Sequence, residues 1–391
     1  MSLVPIVRVE EAGLGMQAHV RLVVSRVSDL RRLRAAWASS GAVLEWIGDR
    51  LHATTTVDAL ARAAGRSLGA EEAASLERIL REAITAWIGP APPLRCAGVR
   101  LETGLRPLVV GVVNVTPDSF ADGGRIYPES HPEAAITHGL RLLDEGADVL
   151  DVGGESTRPG SRPVGEDEEL RRVIPVVEGL ADAGATCSID TRKPGVALAA
   201  LQAGAVIVND VSGAADERLL EVAAAAGAGY VLMHTRGMPG QMQRLASYSD
   251  VVAEVYEFLS DGLARCVEAG ILPERILVDP GLGFAKTPEH NLALLRSLRQ
   301  FRGLGRPVLV GASRKSFLGP PLGGGPEPCD RLEGSLACAT AAVLAGAAGI
   351  RVHDVAATVR VARVARALAT GRLDWPESRA QIGSNRAAGG G

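Results

Sequence analysis

Hydrophobic residues beyond residue 107 recur in short runs rich in valine and isoleucine, and stretches of helical character separate these runs. The eight runs read LVVGVVN, DVLDVGG, TCSIDT, VIVNDV, YVLMH, ILVDPG, PVLVGAS and IRVHDV. Apolar strands that alternate with helices are typical of a parallel sheet covered on both faces. Eight such units in about 260 residues predict an α/β fold of the (β/α)8 TIM-barrel class, whose usual size is ~250 residues.

The stretches between the runs have the spacing of amphipathic helices. We predict helices over 132–145, 166–183, 195–203, 217–226, 249–269, 289–299 and 332–347. A doubly wound open sheet is the alternative for this alternation. Its first strand-to-helix turn would here be NVTPDSF, which lacks a GxGxxG pattern, and its ligand site needs a reversal of strand order that a sequence cannot show. The barrel is therefore the preferred prediction.

The first ninety or so residues do not follow this alternation. They predict a strand over 20–27 and charged amphipathic helices over 29–39 and 71–87, and the second helix ends at GPAPP. Because proline cannot continue a helix, GPAPP is typical of a linker. We predict a small N-terminal α/β appendage of unknown role (1–93), a barrel domain (94–375) and a disordered tail (376–391).

Nearly every predicted barrel strand ends in a polar side chain. These side chains are Asn114, Asp151, Asp190, Asn209, Asp210, His234, Asp279, Ser313, Arg314, Lys315, Arg351 and His353. In a (β/α)8 barrel the C-terminal ends of all strands meet at one face, where the active site lies. Capping of the next helix could explain a single Asp, Asn or Ser, but it does not explain Lys315, Arg351 or His353. The pattern therefore predicts one site at that face.

Composition and charge narrow the class of partner. The formal net charge is −3 and the sequence has no basic stripe, so we expect neither nucleic acid nor an anionic membrane as the main partner. The five cysteines have no CxxC spacing, which favours reduced thiols and a cytoplasmic protein. The N-terminus carries acids where a signal peptide needs a basic flank, and no apolar run has membrane-spanning length.

Eight motifs in order, one for each predicted strand end, resemble those of the dihydropteroate synthase family. They are NVTPDSFADGG, GGESTRPG, SIDT, VNDVSG, LMH, DPGLGFAK, GASRKSFLG and RVHDV. The resemblance covers roughly residues 100–370. It implies a pterin-binding barrel that joins 6-hydroxymethyl-7,8-dihydropterin diphosphate to para-aminobenzoate, giving 7,8-dihydropteroate and diphosphate in a step of folate synthesis that sulfonamides block.

A reduced pterin presents an edge with N–H donors and a carbonyl acceptor. A buried carboxylate, an amide and a cation satisfy that edge, which suits Asp279, Asn209 and Lys315 respectively. The resemblance adds further pterin contacts, at Asp190 and Met233. The catalytic residues that we predict are Asp190, Lys315, Arg351 and Arg158.

The expected chemistry is loss of diphosphate from a methylene carbon conjugated to the dihydropterin, followed by attack of the amine. Arg351, His353 and Asn114 are predicted to hold the diphosphate, and Asn114 also to bind Mg²⁺, which takes few protein ligands in such sites. The predicted para-aminobenzoate contacts are Thr157, Arg158, Phe284 and Ser316. Ser316 is expected to open a helix whose free N–H groups suit a carboxylate.

The resemblance also implies a homodimer. Two alternatives stay open at this stage: a pterin-binding methyltransferase relative, and a pterin-binding homologue without catalysis. The sequence departs from the family pattern at Ala285, where the family usually has glycine.

Overall fold

The structure is a computed structural model, and it describes residues 6–12, 19–25, 43–47, 50–55, 70–116, 132–156, 163–237, 242–324 and 327–376. The chain divides into two compact units, Met1–Ala91 with Ser297–Arg306, and Pro92–Arg296 with Pro307–Gly391. A compact unit need not fold independently, so the predicted domain limits at 93 and 375 stay predictions. The predicted helix at 29–39 and all but the first residue of the predicted tail lie outside the described residues.

In its described residues, the first unit has a four-stranded antiparallel sheet and one long helix. The sheet has the order β1-β2-β4-β3, with β1 (Ile6–Ala12), β2 (His19–Ser25), β3 (Val43–Ile47) and β4 (Arg50–Thr55). The helix is α1 (Ala70–Ile88), and it buries Leu80, Ala83, Ile84 and Trp87, which are spaced to share one face. The predicted strand at 20–27 and helix at 71–87 are confirmed as β2 and α1. Strands β1, β3 and β4 were not predicted, because their charged residues hide the alternation.

The second unit contains the predicted barrel. Its eight parallel strands are β7 (Leu108–Asn114), β8 (Val149–Gly153), β9 (Cys187–Asp190), β10 (Ala205–Asp210), β11 (Gly229–Met233), β12 (Ile276–Asp279), β13 (Leu309–Val310) and β14 (Gly349–Val352). They follow the order β12-β11-β10-β9-β8-β7-β14-β13. A parallel bridge between Val278 and Val308 brings the two edges together, and Val278 N–H donates to the Pro307 carbonyl at 3.0 Å. The (β/α)8 prediction is confirmed.

Helices follow the barrel strands on the outside. They are α2 (Glu133–Asp144), α3 (Glu166–Asp182), α4 (Pro194–Gln202), α5 (Glu217–Ala225), α6 (Val251–Glu268), α7 (Pro288–Arg296), α8 (Leu332–Leu344) and α9 (Val355–Thr370). The predicted helix at 289–299 ends early, at Arg296. Ser297 has ψ 12°, outside the α-helical region, and a 3-10 helix (Leu298–Leu304) follows. None of the described helices is long and apolar enough to cross a bilayer.

A short hairpin that the sequence did not reveal packs against the barrel core. It consists of β5 (Leu94–Cys96) and β6 (Val99–Leu101), and Leu94, Cys96 and Leu101 form one buried cluster with inward residues near the strand N-termini. Three-residue strands are too short for a periodic pattern. Burial here raises the pKa of the Cys96 thiol to about 12. The hairpin thus fills the end of the barrel opposite the predicted site.

Candidate active site

Polar side chains from five barrel strands point inward near the strand C-termini. Alternation along a strand puts every second side chain on the same face. In β8 that face carries Val149 and Asp151, and in β10 it carries Ile207 and Asn209, as shown by the cavity that these four residues share. The apolar members lie toward the hairpin and the polar members toward the strand ends. On these five strands the inward polar side chains near the C-terminal ends are Asp151, Asp190, Asn209, Asp279 and Arg351, and on β7 the same alternation continues from Leu108 and Val110 to Asn114.

Arg351 joins the polar residues of three other strands into one network. Its Nε donates to Asp151 Oδ2 at 2.6 Å, and its Nη2 donates to Asp190 Oδ2 at 2.8 Å. Asn209 Nδ2 donates to the same Asp151 oxygen at 2.9 Å. The predicted residues Arg351, Asp190 and Asn209 therefore lie in one network with Asp151, a strand-end residue of the predicted site for which no individual role was predicted.

Two carboxylates share one guanidinium here, and this leaves excess negative charge in a buried place. Burial raises the pKa of Asp190 to about 7, although Arg351 opposes the rise and Asp151 adds to it. Burial by itself would lower the pKa of Arg351, but the Asp151 and Asp190 carboxylates outweigh burial and raise it. The charge of Asp190 can therefore change near neutral pH.

Asp279, at the end of β12, and Lys315, in the loop after β13, lie close to the Arg351 network. Asp279 Oδ1 accepts a hydrogen bond from Gly281 N–H at 2.7 Å, and burial raises the pKa of this carboxyl. Lys315 Nζ donates to the Leu282 carbonyl and lies 4.6 Å from the centre of the Phe284 ring. Burial lowers the pKa of Lys315 to about 8, while Asp279 opposes the change. The structure thus brings Lys315 and Phe284, assigned to pterin and para-aminobenzoate, into contact.

Lys286 and His234 form a buried pair. His234 was predicted as a strand-end residue of the site, but its contact with Lys286 was not predicted. Lys286 Nζ lies 2.8 Å from His234 Nδ1 and donates to the Gly281 carbonyl at 2.8 Å and the Phe284 carbonyl at 2.9 Å. Burial lowers the pKa of His234 to about 2 and lowers that of Lys286 well below its ordinary value. The hydrogen bonds of Lys286 stabilise the loop that carries Phe284. A lysine that directly follows the DPGLGFA stretch was the available signal.

The loops after β13 and β14 are joined by two side-chain pairs. Ser313 Oγ lies 3.0 Å from His353 Nδ1, and Arg314 donates to Asp354 at 3.0 Å and 2.6 Å. Arg314 has φ 58°, in the left-handed region that non-glycine residues rarely adopt. This turn directs Lys315, the next residue, toward Asp279.

The remaining predicted residues lie as follows. Met233 is the buried last residue of β11, in register with Asp279 on β12. Asn114 is the half-buried last residue of β7. Ser316 is exposed and begins a helix, as predicted, which is a 3-10 helix of three residues, Ser316–Leu318. Thr157 and Arg158 lie outside the described residues.

The donor set suits a metal that takes few protein ligands. Within the described part of the chain, no group of three or more His, Cys, Asp or Glu side chains could hold a metal ion. This rules out, for those residues, the closed coordination sphere of a structural zinc site. Asn114 offers one neutral oxygen at the strand end, which is compatible with Mg²⁺ held mainly by substrate oxygens and water.

A second charged cluster stabilises the start of the loop after β8. Glu155 accepts from Arg192 at 3.1 Å and from Lys193 at 2.7 Å. The buried Glu169 accepts from Lys193 and, at 2.7 Å, from the Thr191 hydroxyl. Sequence reasoning assigned these residues no role.

The sequence of this chain is similar to those of a known protein family. The family of pterin binding enzymes matches residues 110–353. The dihydropteroate synthase of Escherichia coli (strain K12) is 47% identical over 264 residues, which cover 67% of this chain and 91% of that protein.

Solved structures of dihydropteroate synthases are similar to this chain. Xanthomonas albilineans dihydropteroate synthase with 4-aminobenzoic acid gives a TM-score of 0.66 at 47% identity, covering 72% of this chain and 99% of that one. The same enzyme with 7,8-dihydropteroate gives 0.63 at 44% identity, covering 71% and 99%. Yersinia pestis dihydropteroate synthase in a sulfonamide drug complex gives 0.66 at 42% identity, covering 71% and 98%. This chain therefore belongs to the pterin-binding enzymes and, among them, to the dihydropteroate synthase family.

Proposed function

We propose that this chain condenses 6-hydroxymethyl-7,8-dihydropterin diphosphate with para-aminobenzoate to give 7,8-dihydropteroate and diphosphate. The observation that carries the proposal is the Arg351 network, in which groups from four strands gather at the end of the barrel. The relatives bear the name of this enzyme, and one neighbour was solved with the product that we propose. The same relationship makes the chain a sulfonamide target.

Recognition of the pterin edge is assigned to three groups. The Asp279 carboxylate and the Asn209 amide accept from the ring donors, and Lys315 donates to the carbonyl side. Asp279 has one oxygen engaged by Gly281 N–H, which leaves the other for the ligand. A ring without matching donors would leave buried acceptors unpaired, at a cost of ~1–3 kcal/mol for each group. Met233, at the end of β11, contributes an apolar contact.

The reaction needs a bond to break before or while another forms. The C–O bond between the methylene carbon and the diphosphate breaks, and the electron pair leaves with the diphosphate. The amine nitrogen of para-aminobenzoate then forms the C–N bond with its lone pair and loses a proton to solvent. The Asp190 carboxylate, once ionised, stabilises positive charge on the ring, so the protein acts mainly through preorganised electrostatics.

Diphosphate is assigned to Arg351, His353 and Asn114 near the barrel mouth. In this structure Arg351 directs Nε and Nη2 to carboxylates, so a diphosphate contact uses Nη1 or exchanges with one of these bonds. Asn114 would hold Mg²⁺. When bound, the metal would neutralise charge on the leaving diphosphate.

Para-aminobenzoate is assigned to Phe284, Ser316, Thr157 and Arg158. The contact between Lys315 and the Phe284 ring supports one wall of this subsite, next to the pterin residues. A homodimer and a cytoplasmic location complete the proposal. They rest on the family resemblance and on the cysteine pattern respectively.

The test is product analysis with both substrates and Mg²⁺. Formation of 7,8-dihydropteroate and diphosphate in equal amounts supports the proposal. Binding of the pterin with no turnover would overturn it in favour of a non-catalytic homologue. Methyl transfer from a reduced folate to a corrinoid would instead favour the methyltransferase relative.

A further inference from the structure

Asp151 is a buried carboxylate that contacts two of the residues assigned to substrate. Its side chain is 1% exposed, and its Oδ2 accepts from both Arg351 Nε and Asn209 Nδ2. Its other oxygen, Oδ1, is buried and has no hydrogen-bond partner among the described residues. On the hairpin side lies a small cavity lined mainly by aliphatic residues, among them Val149 and Ile207.

Stability alone does not explain this arrangement. The oxygen Oδ1 has no donor and opposes folding. A valine at this inward strand position would pack against the same aliphatic neighbours but would leave Arg351 Nε and Asn209 Nδ2 without their acceptor, so what the carboxylate contributes here is its contact with these two site residues. Positions where a local choice conflicts with stability are typically functional. We therefore expect the Asp151 carboxylate to have a role in the site at the C-terminal ends of the strands.

The role follows from what a carboxylate can and cannot do. An ionised carboxylate only accepts hydrogen bonds, whereas an amide has a donor end and an acceptor end. Asn209 must therefore turn its Nδ2 toward Asp151, and its Oδ1 then lies on the opposite side. Without such a partner the two ends of an amide have nearly the same shape and either orientation fits.

We propose that Asp151 is a positioning residue that fixes the orientation of the Asn209 amide and thereby the preference of the site for rings that present N–H donors. The inference rests on the proposed function, because it takes the ligand to be a pterin. Asn209 Oδ1 and the second oxygen of Asp279 then form a pair of acceptors for the amino group and the ring N–H. The same Asp151 oxygen holds Arg351, so one group positions both a recognition residue and a predicted catalytic residue.

The experiment compares two ligands with opposite hydrogen-bonding polarity at the 2-position and at the neighbouring ring nitrogen N1. One is 6-hydroxymethylpterin, which carries a 2-amino group beside an acceptor N1, and the other is the matching pteridine-2,4-dione, which carries a 2-oxo group beside an N1–H donor. Dissociation constants are measured by calorimetry for the wild type, Asp151→Asn and a control. We expect the wild type to prefer the amino ligand by about 100-fold or more, as a polar site rejects a mismatched analogue.

In Asp151→Asn the residue at position 151 can donate as well as accept, so Asn209 can rotate. We expect the amino ligand to bind about 10-fold or more weakly, and the ratio between the two ligands to fall to about 10-fold or less. Asp151→Ser is the second variant in case the first does not fold, and the same loss of preference is expected.

The matched control is Asp148→Asn, just before the same strand. The Asp148 carboxylate also accepts two hydrogen bonds from an arginine, Arg106, at 2.6 Å and 2.7 Å. It lies, however, at the opposite end of β8 from the site. This control is expected to lose stability but to keep the wild-type ratio between the dissociation constants of the two ligands. If the Asp151 variants weaken both ligands equally, the positioning role is wrong. If the wild type binds neither ligand, it is the proposed function that fails.

Discussion

Asp190 and Arg351 are 161 positions apart in the chain and form an ion pair of 2.8 Å inside the barrel. Asp190 ends β9 and Arg351 lies in β14, strands that are not neighbours in the sheet. Their side chains meet because both point into the barrel near its C-terminal end. The pair therefore couples the residue assigned to the ring cation with the residue assigned to diphosphate.

Replacement of Arg351 should impair both activity and stability. Arg351→Lys cannot donate to Asp151 and Asp190 as a planar fork does. We expect kcat/KM to fall about 100-fold or more, a value typical for loss of an electrostatic contact to the transition state. Arg351→Ala should also lower the free energy of unfolding, by about 3 kcal/mol, because two buried carboxylates lose their counter-charge. Steady-state kinetics and urea titration measure these effects, and wild-type kinetics in either variant would contradict the assignment.

The raised pKa of Asp190 predicts an acid limb in the activity profile. If the ionised carboxylate is the active form, kcat/KM should fall as the pH drops through about 7. Asp190→Asn should be slow and should lack this limb. A pH profile of kcat/KM in both proteins is the measurement. An unchanged limb in the variant would assign the titration to another group.

The same shift has a consequence for stability with a defined sign. The folded protein keeps this proton up to about pH 7, whereas the unfolded chain releases it near 3.8, so folding binds a proton between these values. Stability from this group is therefore lost as the pH rises through that window. In Asp190→Asn the free energy of unfolding should decrease less over the same pH range. Urea midpoints at several pH values test this, and parallel curves for the two proteins would refute it.

Lys286→Met should destabilise the loop that carries Phe284. The variant leaves His234 Nδ1 and the Phe284 carbonyl without their partner, while the Gly281 carbonyl keeps only the Phe284 N–H, and we expect a loss of about 2–4 kcal/mol. Because burial lowers the pKa of Lys286, the folded wild type binds fewer protons than the unfolded chain at alkaline pH. Its stability from this group therefore rises with pH. The difference between wild type and variant should grow from pH 7 toward alkaline pH in urea titrations, and a constant difference would show that the amine does not titrate on folding.

Asn114→Ala should raise the Mg²⁺ concentration needed for half-maximal activity. The alanine removes the one neutral oxygen assigned to the metal, while Mg²⁺ keeps its water and diphosphate ligands. We expect a shift of about 10-fold or more, a size typical for loss of a residue that supports a metal site. Metal titration of the initial rate measures it. An identical titration curve would remove Asn114 from the metal site.

Ala97→Asn should stabilise the hairpin at the other end of the barrel. Ala97 has φ 44° and Gly98 has φ 84°, so the turn between β5 and β6 needs two residues of positive φ, for which Asn-Gly is preferred. Ala97 is exposed, so the change costs no packing. We expect a gain of about 1 kcal/mol in unfolding free energy, and a loss for the control Ala97→Val, whose branched side chain resists this φ. Thermal unfolding of the three proteins checks the order.

Much of the barrel could be predicted because its physical cause is local. A strand buried on both faces needs a continuous apolar run, and each run here became a strand with the polar residues of the sequence near its C-terminal end. Asn114, Asp190, Asn209 and Asp279 all lie at the ends of the strands predicted to carry them. The hairpin at 94–101 and the early end of the helix at 289–299 escaped prediction, since each depends on packing over only a few residues.

The sequence by itself determined the order of strands and helices, the family, and the end of the barrel that holds the chemistry, because periodicity and chain direction are properties of neighbouring residues. Only the tertiary structure decided that Arg351 meets Asp151, 200 positions away, and that Lys286 lies against His234. Alternation along a strand shows which side chains face inward. It does not show which of them meet across a closed barrel, because that depends on strand stagger, side-chain length and the partners that burial leaves available.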